Sequence, residues 1–158
     1  MLNLNILLKP VNLIVVAVAG LMFSCTMRMP PQTTIEQGIE GHIYKVSGNQ
    51  MPMKGTQRSK PKALICEVYI YKPTTVKQAQ GQGTLYSQIN TPLVAKVKTD
   101  SAGHYQVKLP VGNYSVFVKE GNQYFASESD GTGNLNPAEV FAGKVTTRNI
   151  TVNHDAAY

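Results

Sequence analysis

Residues 97–121 read VKTDSAGHYQVKLPVGNYSVFVKEG, and the alternation in this stretch decides the fold class. Tyr105, Val107 and Leu109 alternate with His104, Gln106 and Lys108. After Pro110-Val111-Gly112-Asn113, the residues Tyr114, Val116 and Val118 take up the same period of two. That period puts one set of side chains on a buried face and the other towards solvent. Thr99-Asp100-Ser101-Ala102-Gly103 has turn composition, with Gly103 able to take positive φ, and Pro110 with Gly112 marks the next reversal. The expectation here is a hairpin pair.

The pattern extends in both directions. Leu93, Ala95 and Val97 alternate with Lys96 and Lys98. In residues 63–72, Leu64, Cys66, Val68 and Ile70 form a core-facing set, with Ile65, Glu67, Tyr69 and Tyr71 opposite and Glu67 outside. A first strand is expected over 38–46, a long polar loop over 47–62 and an exposed Gln- and Gly-rich excursion over 74–91. Further on come a short strand at 123–127, a Gly- and Asn-rich loop at 130–137 and a last strand at 144–152. No segment sustains a helical period. The fold class is therefore all-β: a single Greek-key-type β-sandwich of about seven strands over 38–158.

The N-terminus has a different composition. Lys9 leads into LIVVAVAGLMF, residues 13–23, an uncharged apolar run too short to cross a bilayer but suited to an export signal. It stops at Met22-Phe23-Ser24-Cys25, which resembles a bacterial lipobox. That resemblance implies a signal peptide over 1–24, cleavage before Cys25, diacylglycerol on its thiol and acylation of the new amine. Several acyl chains on one residue hold a protein on a membrane stably. Thr26, not Asp, follows the cysteine, which by resemblance to sorted lipoproteins implies the outer membrane. Residues 25–37, TMRMPPQTTIEQ after the cysteine, then read as a tether, since Pro30-Pro31 disfavours helix and little is offered for burial.

The 97–121 core also resembles the carboxypeptidase regulatory-like, or transthyretin-like, β-sandwich family. Its matching positions are Thr99, Asp100, Gly103, Tyr105, Leu109, Pro110, Gly112 and Tyr114, with Gly41-x-Ile43 similar to that family's opening strand and 145–152 to its closing one. SGNQMP at 47–52, DGTGNLNP at 130–137 and the ending DAAY resemble a subgroup of small lipoproteins without assigned activity. These features specify a fold and contain no reactive group, and a fold does not by itself assign a function. Transthyretin-like enzymes that hydrolyse 5-hydroxyisourate carry a C-terminal Tyr-Arg-Gly-Ser. This chain ends His154-Asp155-Ala156-Ala157-Tyr158, so that activity is not carried over.

Few residues offer chemistry. Lipidation would consume Cys25, leaving Cys66 of the two cysteines as a small buried hydrophobe with no basic neighbour to activate it. His42, His104 and His154 have no metal-motif spacing and read as solvent-facing. Asp130, Asn134 and Asn136 are candidate calcium ligands, with Glu139 the nearby carboxylate that would have to complete the set. The same residues dominate ordinary turns, and the structural turn is the expectation. There is no GxSxG elbow, paired-carboxylate motif or phosphate-cradling loop.

Loss of Lys9 would take the 15 Lys and Arg to 14, against 9 Asp and Glu, a net charge of +5. Part of the excess lies at Lys54, Arg58, Lys60 and Lys62, read as a solvated loop, and no interleaved aromatic pattern there points to nucleic acid. The resulting expectation is a non-catalytic envelope lipoprotein without a cofactor. Its membrane contact is through Cys25, and the sandwich is expected either to bind an envelope protein or glycan or to serve as a structural module. The alternatives are a calcium- or carbohydrate-binding accessory domain and a small transthyretin-like hydrolase.

Overall fold

The computed structural model describes residues 34–52, 55 and 58–158, and Thr33–Tyr158 forms a compact unit on its own. In chain order the strands are β1 (Gly38–Lys45), β2 (Gly48–Asn49), β3 (Lys62–Ala63), β4 (Glu67–Tyr71), β5 (Ala79–Gln82), β6 (Leu85–Ile89) and β7 (Leu93–Lys98). They continue with β8 (His104–Lys108), β9 (Gly112–Glu120), β10 (Gln123–Phe125), β11 (Pro137–Val140), β12 (Val145–Thr147), β13 (Ile150–Val152) and β14 (Ala156–Ala157). The one helical element among the described residues is a 3-10 turn at Val76–Gln78. The protein is an all-β sandwich.

One sheet has five strands centred on β1. Along one edge β1 runs parallel to β12 and then β13; along the other it is antiparallel to β8 and then β3. The second sheet has seven strands, ordered β5-β6-β10-β9-β4-β7, with β11 continuing the β10 side of β9. The chain passes between sheets before β4, β8, β9 and β12, the interleaving of a Greek-key-type sandwich. Ile39, Ile43, Tyr105, Leu109, Ile150 and Val152 of the first sheet meet Val68, Ile70, Tyr114, Val116, Val118, Phe125 and Val140 of the second in one core. Cys66 packs against it.

The expected hairpin over 104–118 is corrected. β8 pairs with β1, while β9 pairs with β4 on one edge and with β10 and β11 on the other, so β8 and β9 lie in different sheets. Both strands have the inward sets read from the sequence. Those sets face each other across the core instead of lying side by side, which requires an arch and not a hairpin. Pro110 suits the arch because it lacks a donor for a ladder. Tyr114 closes it as a tyrosine corner, its hydroxyl donating to the Pro110 carbonyl oxygen at 2.9 Å.

The other motif residues also have structural partners. The Thr99 hydroxyl donates to the Leu64 carbonyl at 2.9 Å and accepts from the Cys66 N–H at 2.8 Å, joining β7 to the segment before β4. Asp100 Oδ1 accepts the N–H groups of Ala102 and His104, shaping the arch into β8. Gly103 has φ +76°, and a Cβ there would press on the Ile43 carbonyl. The Tyr105 hydroxyl crosses β1 to the Arg148 carbonyl at 2.7 Å. Gly41 is needed because that same carbonyl lies where its Cβ would be.

Three other expectations change. Leu93 is 51% exposed, because a bulge opposite Ile70 and Tyr71 pairs Ile70 with Ala95 and Tyr71 with Leu93 and turns Val94 inward. The 74–91 excursion folds into the 3-10 turn, β5 and β6, and it buries Tyr86. The outer face of the seven-stranded sheet is itself packed: Tyr71, Tyr86, Phe117, Ala126 and Leu135 are buried, with Tyr69 and Tyr124 at the margin. Lys96 and Lys119 lie over the rings of Tyr69 and Tyr124 at 5.2 and 4.0 Å.

Tyr114→Ala is expected to lower stability by about 3–5 kcal/mol, as truncation of a buried aromatic does. Tyr114→Phe should cost about 1 kcal/mol through loss of the corner hydrogen bond. Urea unfolding of both variants checks the pair, and equal losses would place the energy in the hydroxyl and not the ring.

Candidate functional site

The segment between β10 and β11 leaves and rejoins the same edge of β9, and Asn136 closes the gap. Its backbone carbonyl accepts the Val116 N–H at 3.1 Å and its side-chain amide donates to the Val116 carbonyl at 3.0 Å. Backbone and side chain together thus replace one rung of a ladder. The Asn136 Oδ1 accepts the Glu128 N–H at 3.0 Å, and the residue holds φ +39° at 1% exposure. Asn tolerates that left-handed backbone, which a β-branched residue does not. Leu135 anchors the loop in the outer cluster, and its N–H donates to the Thr74 carbonyl at 2.8 Å.

Asp130 organises the tip. Its Oδ1 accepts from the Thr132 N–H, the Thr132 hydroxyl and the Asn134 N–H at 2.9, 2.7 and 2.9 Å; its Oδ2 accepts from the Asn134 amide at 3.0 Å. The hydrogen bonds from Asn134 and Thr132 lower its pKa from the ordinary 3.8 to about 2. The carboxylate is ionised at neutral pH, with its lone pairs spent on the loop.

The loop forms one wall of a cleft of about 490 Å³. Asp130, Thr132 and Asn134 line that wall, Asn113 and Glu139 lie opposite each other on β9 and β11, and Tyr114, Pro73 and Pro137 contribute apolar surface. Of the candidate calcium ligands, the structure brings Asp130, Asn134 and Glu139 to this cleft. Asn136 is not among its lining residues: it is buried against Val116 and Glu128, which corrects its inclusion in the set. No group of three His, Cys, Asp or Glu among the described residues is placed to hold a metal ion.

The remaining candidates lie elsewhere. Cys25 and Lys54 fall outside the described residues, while Arg58, Lys60 and Lys62 are exposed. Burial pushes the Cys66 thiol up to about 11, the direction that suppresses thiolate reactivity. The histidines are less open than a solvent-facing reading allows. His42 and His104 oppose each other across β1 and β8, ring centroids 5.0 Å apart, with Glu40 3.9 Å from His104. His154 lies off the strands, between Glu120 at 3.7 Å and Asp155 at 3.2 Å, and Lys45 reaches both carboxylates. That cluster ties the C-terminal segment to β1 and β9.

Sequence reading missed Asn113, Thr132 and Pro73 as cleft residues, because strand pairing and the 74–76 crossing bring them together. The outer cluster did leave a signal: Tyr69, Tyr71 and Phe117 fall out of phase with the core set in two strands that are apolar on both sides. No family model, curated protein or solved structure matches this chain.

Asp130 has a folded pKa below its unfolded one, so its contribution to stability is complete above about pH 4 and is lost as pH falls through about 2. Carbon-13 titration of the carboxyl should give a midpoint near 2, with protection of the Thr132 and Asn134 amides fading over the same window. Added calcium is expected to leave thermal melting unchanged, since a ligand that binds only the native state must raise it. A calcium-dependent rise abolished in Asp130→Ala would establish an ion site instead.

Proposed function

We propose that this chain is a non-catalytic, lipid-anchored protein of the cell envelope, built on a carboxypeptidase regulatory-like sandwich, that binds a glycan in the cleft beside its 130–137 loop. The observation carrying this reading is the lining of that cleft. Asn113 and Glu139 present amide and carboxylate groups beside the apolar surface of Tyr114 and the prolines, and the facing wall is held by the bonds of Thr132 and Asn134 to Asp130. A hydroxyl-rich ligand needs convergent polar groups on a rigid frame, and paired strands beside a braced loop supply them. The commitment of Asp130 to four internal hydrogen bonds supports binding over catalysis, because an acid held near pKa 2 neither donates nor takes a proton at neutral pH.

The proposed family draws support from four of the motif residues, Thr99, Asp100, Tyr105 and Tyr114, whose side chains each have a distinct partner in the arches and the corner. Lipid attachment at Cys25, and the outer membrane as destination, rest on Ser24-Cys25-Thr26 after the apolar run.

Two measurements test the reading. Cys25→Ala should abolish metabolic labelling with palmitate and release the protein from the membrane fraction; unchanged labelling would refute the anchor. The Thr33–Tyr158 unit, screened on an array of bacterial glycans, should bind a defined subset. Glu139→Ala should weaken that binding about tenfold or more, the usual effect of losing a hydrogen bond to a charged group. Binding indifferent to Glu139→Ala would move the ligand away from this cleft.

A further inference from the structure

We infer that the end of the sandwich where the tether joins it is a bilayer-contacting tip, with Val111 and Phe141 as its apolar fingers. This inference rests on the lipid-anchored reading. Val140 pairs with Gly112, so Phe141 and Val111 are the next residues beyond that end of the β11–β9 ladder. They are 48% and 60% exposed, as Ile65, Val76 and Leu93 also are elsewhere on the domain, and what sets this pair apart is its place beside the tether. They lie on two separate loops, and Gln37 ties those loops together. The Gln37 amide donates to the Leu109 carbonyl at 2.8 Å and its Oε1 accepts the Gly143 N–H at 3.0 Å. The next residue, Gly38, donates to the Lys144 carbonyl at 3.1 Å.

The chain therefore joins the fold between the two loops that expose apolar side chains. Counting back along the sequence, Cys25 is twelve residues before Gln37, a reach of at most about 40 Å. Acyl chains at Cys25 would keep this end at high effective concentration near the bilayer. No other part of the domain is held so close by the covalent chain.

The charges at this end are mixed. Lys108 lies opposite Gly38 and Lys72 lies over the Tyr114 ring, while Glu36 precedes Gln37 and Glu139 and Lys144 flank Phe141 in sequence, so the contact is assigned to apolar area rather than to attraction to anionic headgroups. A bilayer is the occupant favoured over a protein because shallow insertion of two protruding side chains needs no complementary pocket.

The chain contains no tryptophan, so Phe141→Trp creates a single fluorescent reporter. In the lipidated full-length protein reconstituted in vesicles, its emission should shift to the blue and be quenched by lipids brominated on their acyl chains. A blue shift without that quenching would mean that a protein covers the tip; no shift would mean that the tip stays in water. Either result overturns the inference while leaving lipidation at Cys25 intact, which palmitate labelling reads separately. Should labelling fail, the Thr33–Tyr158 unit carries the test alone. It should partition onto zwitterionic vesicles, and Phe141→Asp should weaken this about tenfold, as expected for losing burial of one phenylalanine. Val111→Asp should act in the same direction, with melting of both variants unchanged. Partitioning that is absent, or that requires anionic lipid, would overturn the inference.

Discussion

The nine residues of β9 must satisfy two hydrophobic clusters at once. Tyr114, Val116 and Val118 point into the space between the sheets, while Phe117 points the other way into an aromatic layer. Burial of both faces makes this strand resemble the centre of a covered sheet more than one wall of an open sandwich. Both of its edges are occupied as well, by β4 on one side and by β10, Asn136 and β11 on the other. An error in the position of β9 would therefore disturb the core, the outer cluster and the cleft together. The hydrogen bond from Tyr114 to Pro110 fixes that position where the chain arrives from the opposite sheet.

The cleft inherits its geometry from the same strand. Asn113 is placed by its pairing with Glu139, and the 130–137 loop by Asn136 filling the ladder at Val116. Asp130 then spends its charge on the loop's own donors, which fixes the wall without closing it. The polar groups left facing the cleft are held by rigid strands at one side and by a self-bonded turn at the other. A ligand would meet them without first paying to order them.

Much of this was legible in the sequence because strands report their buried face through a period of two. The core sets of β4, β8 and β9 were read correctly from Val68, Ile70, Tyr105, Leu109, Tyr114, Val116 and Val118. Pairing was not legible: alternation tells which side of a strand is apolar but not which strand lies beside it, so an arch at Pro110 has the same pattern as a hairpin. Leu93 failed for a related reason, since one bulged residue inverts every side chain beyond it. At the site, Asp130, Asn134 and Glu139 stood out by residue type. The inward turn of Asn136 depends on a gap in the ladder at Val116, which no local sequence signal records.

β1 takes its parallel partners from the other end of the chain. Residues 38–40 lie beside 145–147 and residues 43–45 beside 150–152, a separation of more than a hundred positions. Contacts this distant in sequence cost loop-closure entropy before they return any stability, and they slow folding. β1 thus waits for β12 and β13 before its sheet can close. Without those strands Ile43 lacks its strand partner Ile150, and Ile39 lacks Ile150 and Val152 from the core cluster. The five-stranded sheet can therefore close only once residues 145–152 are available, and until then the face of β1 that carries Ile39 and Ile43 lacks the cover the finished fold gives it.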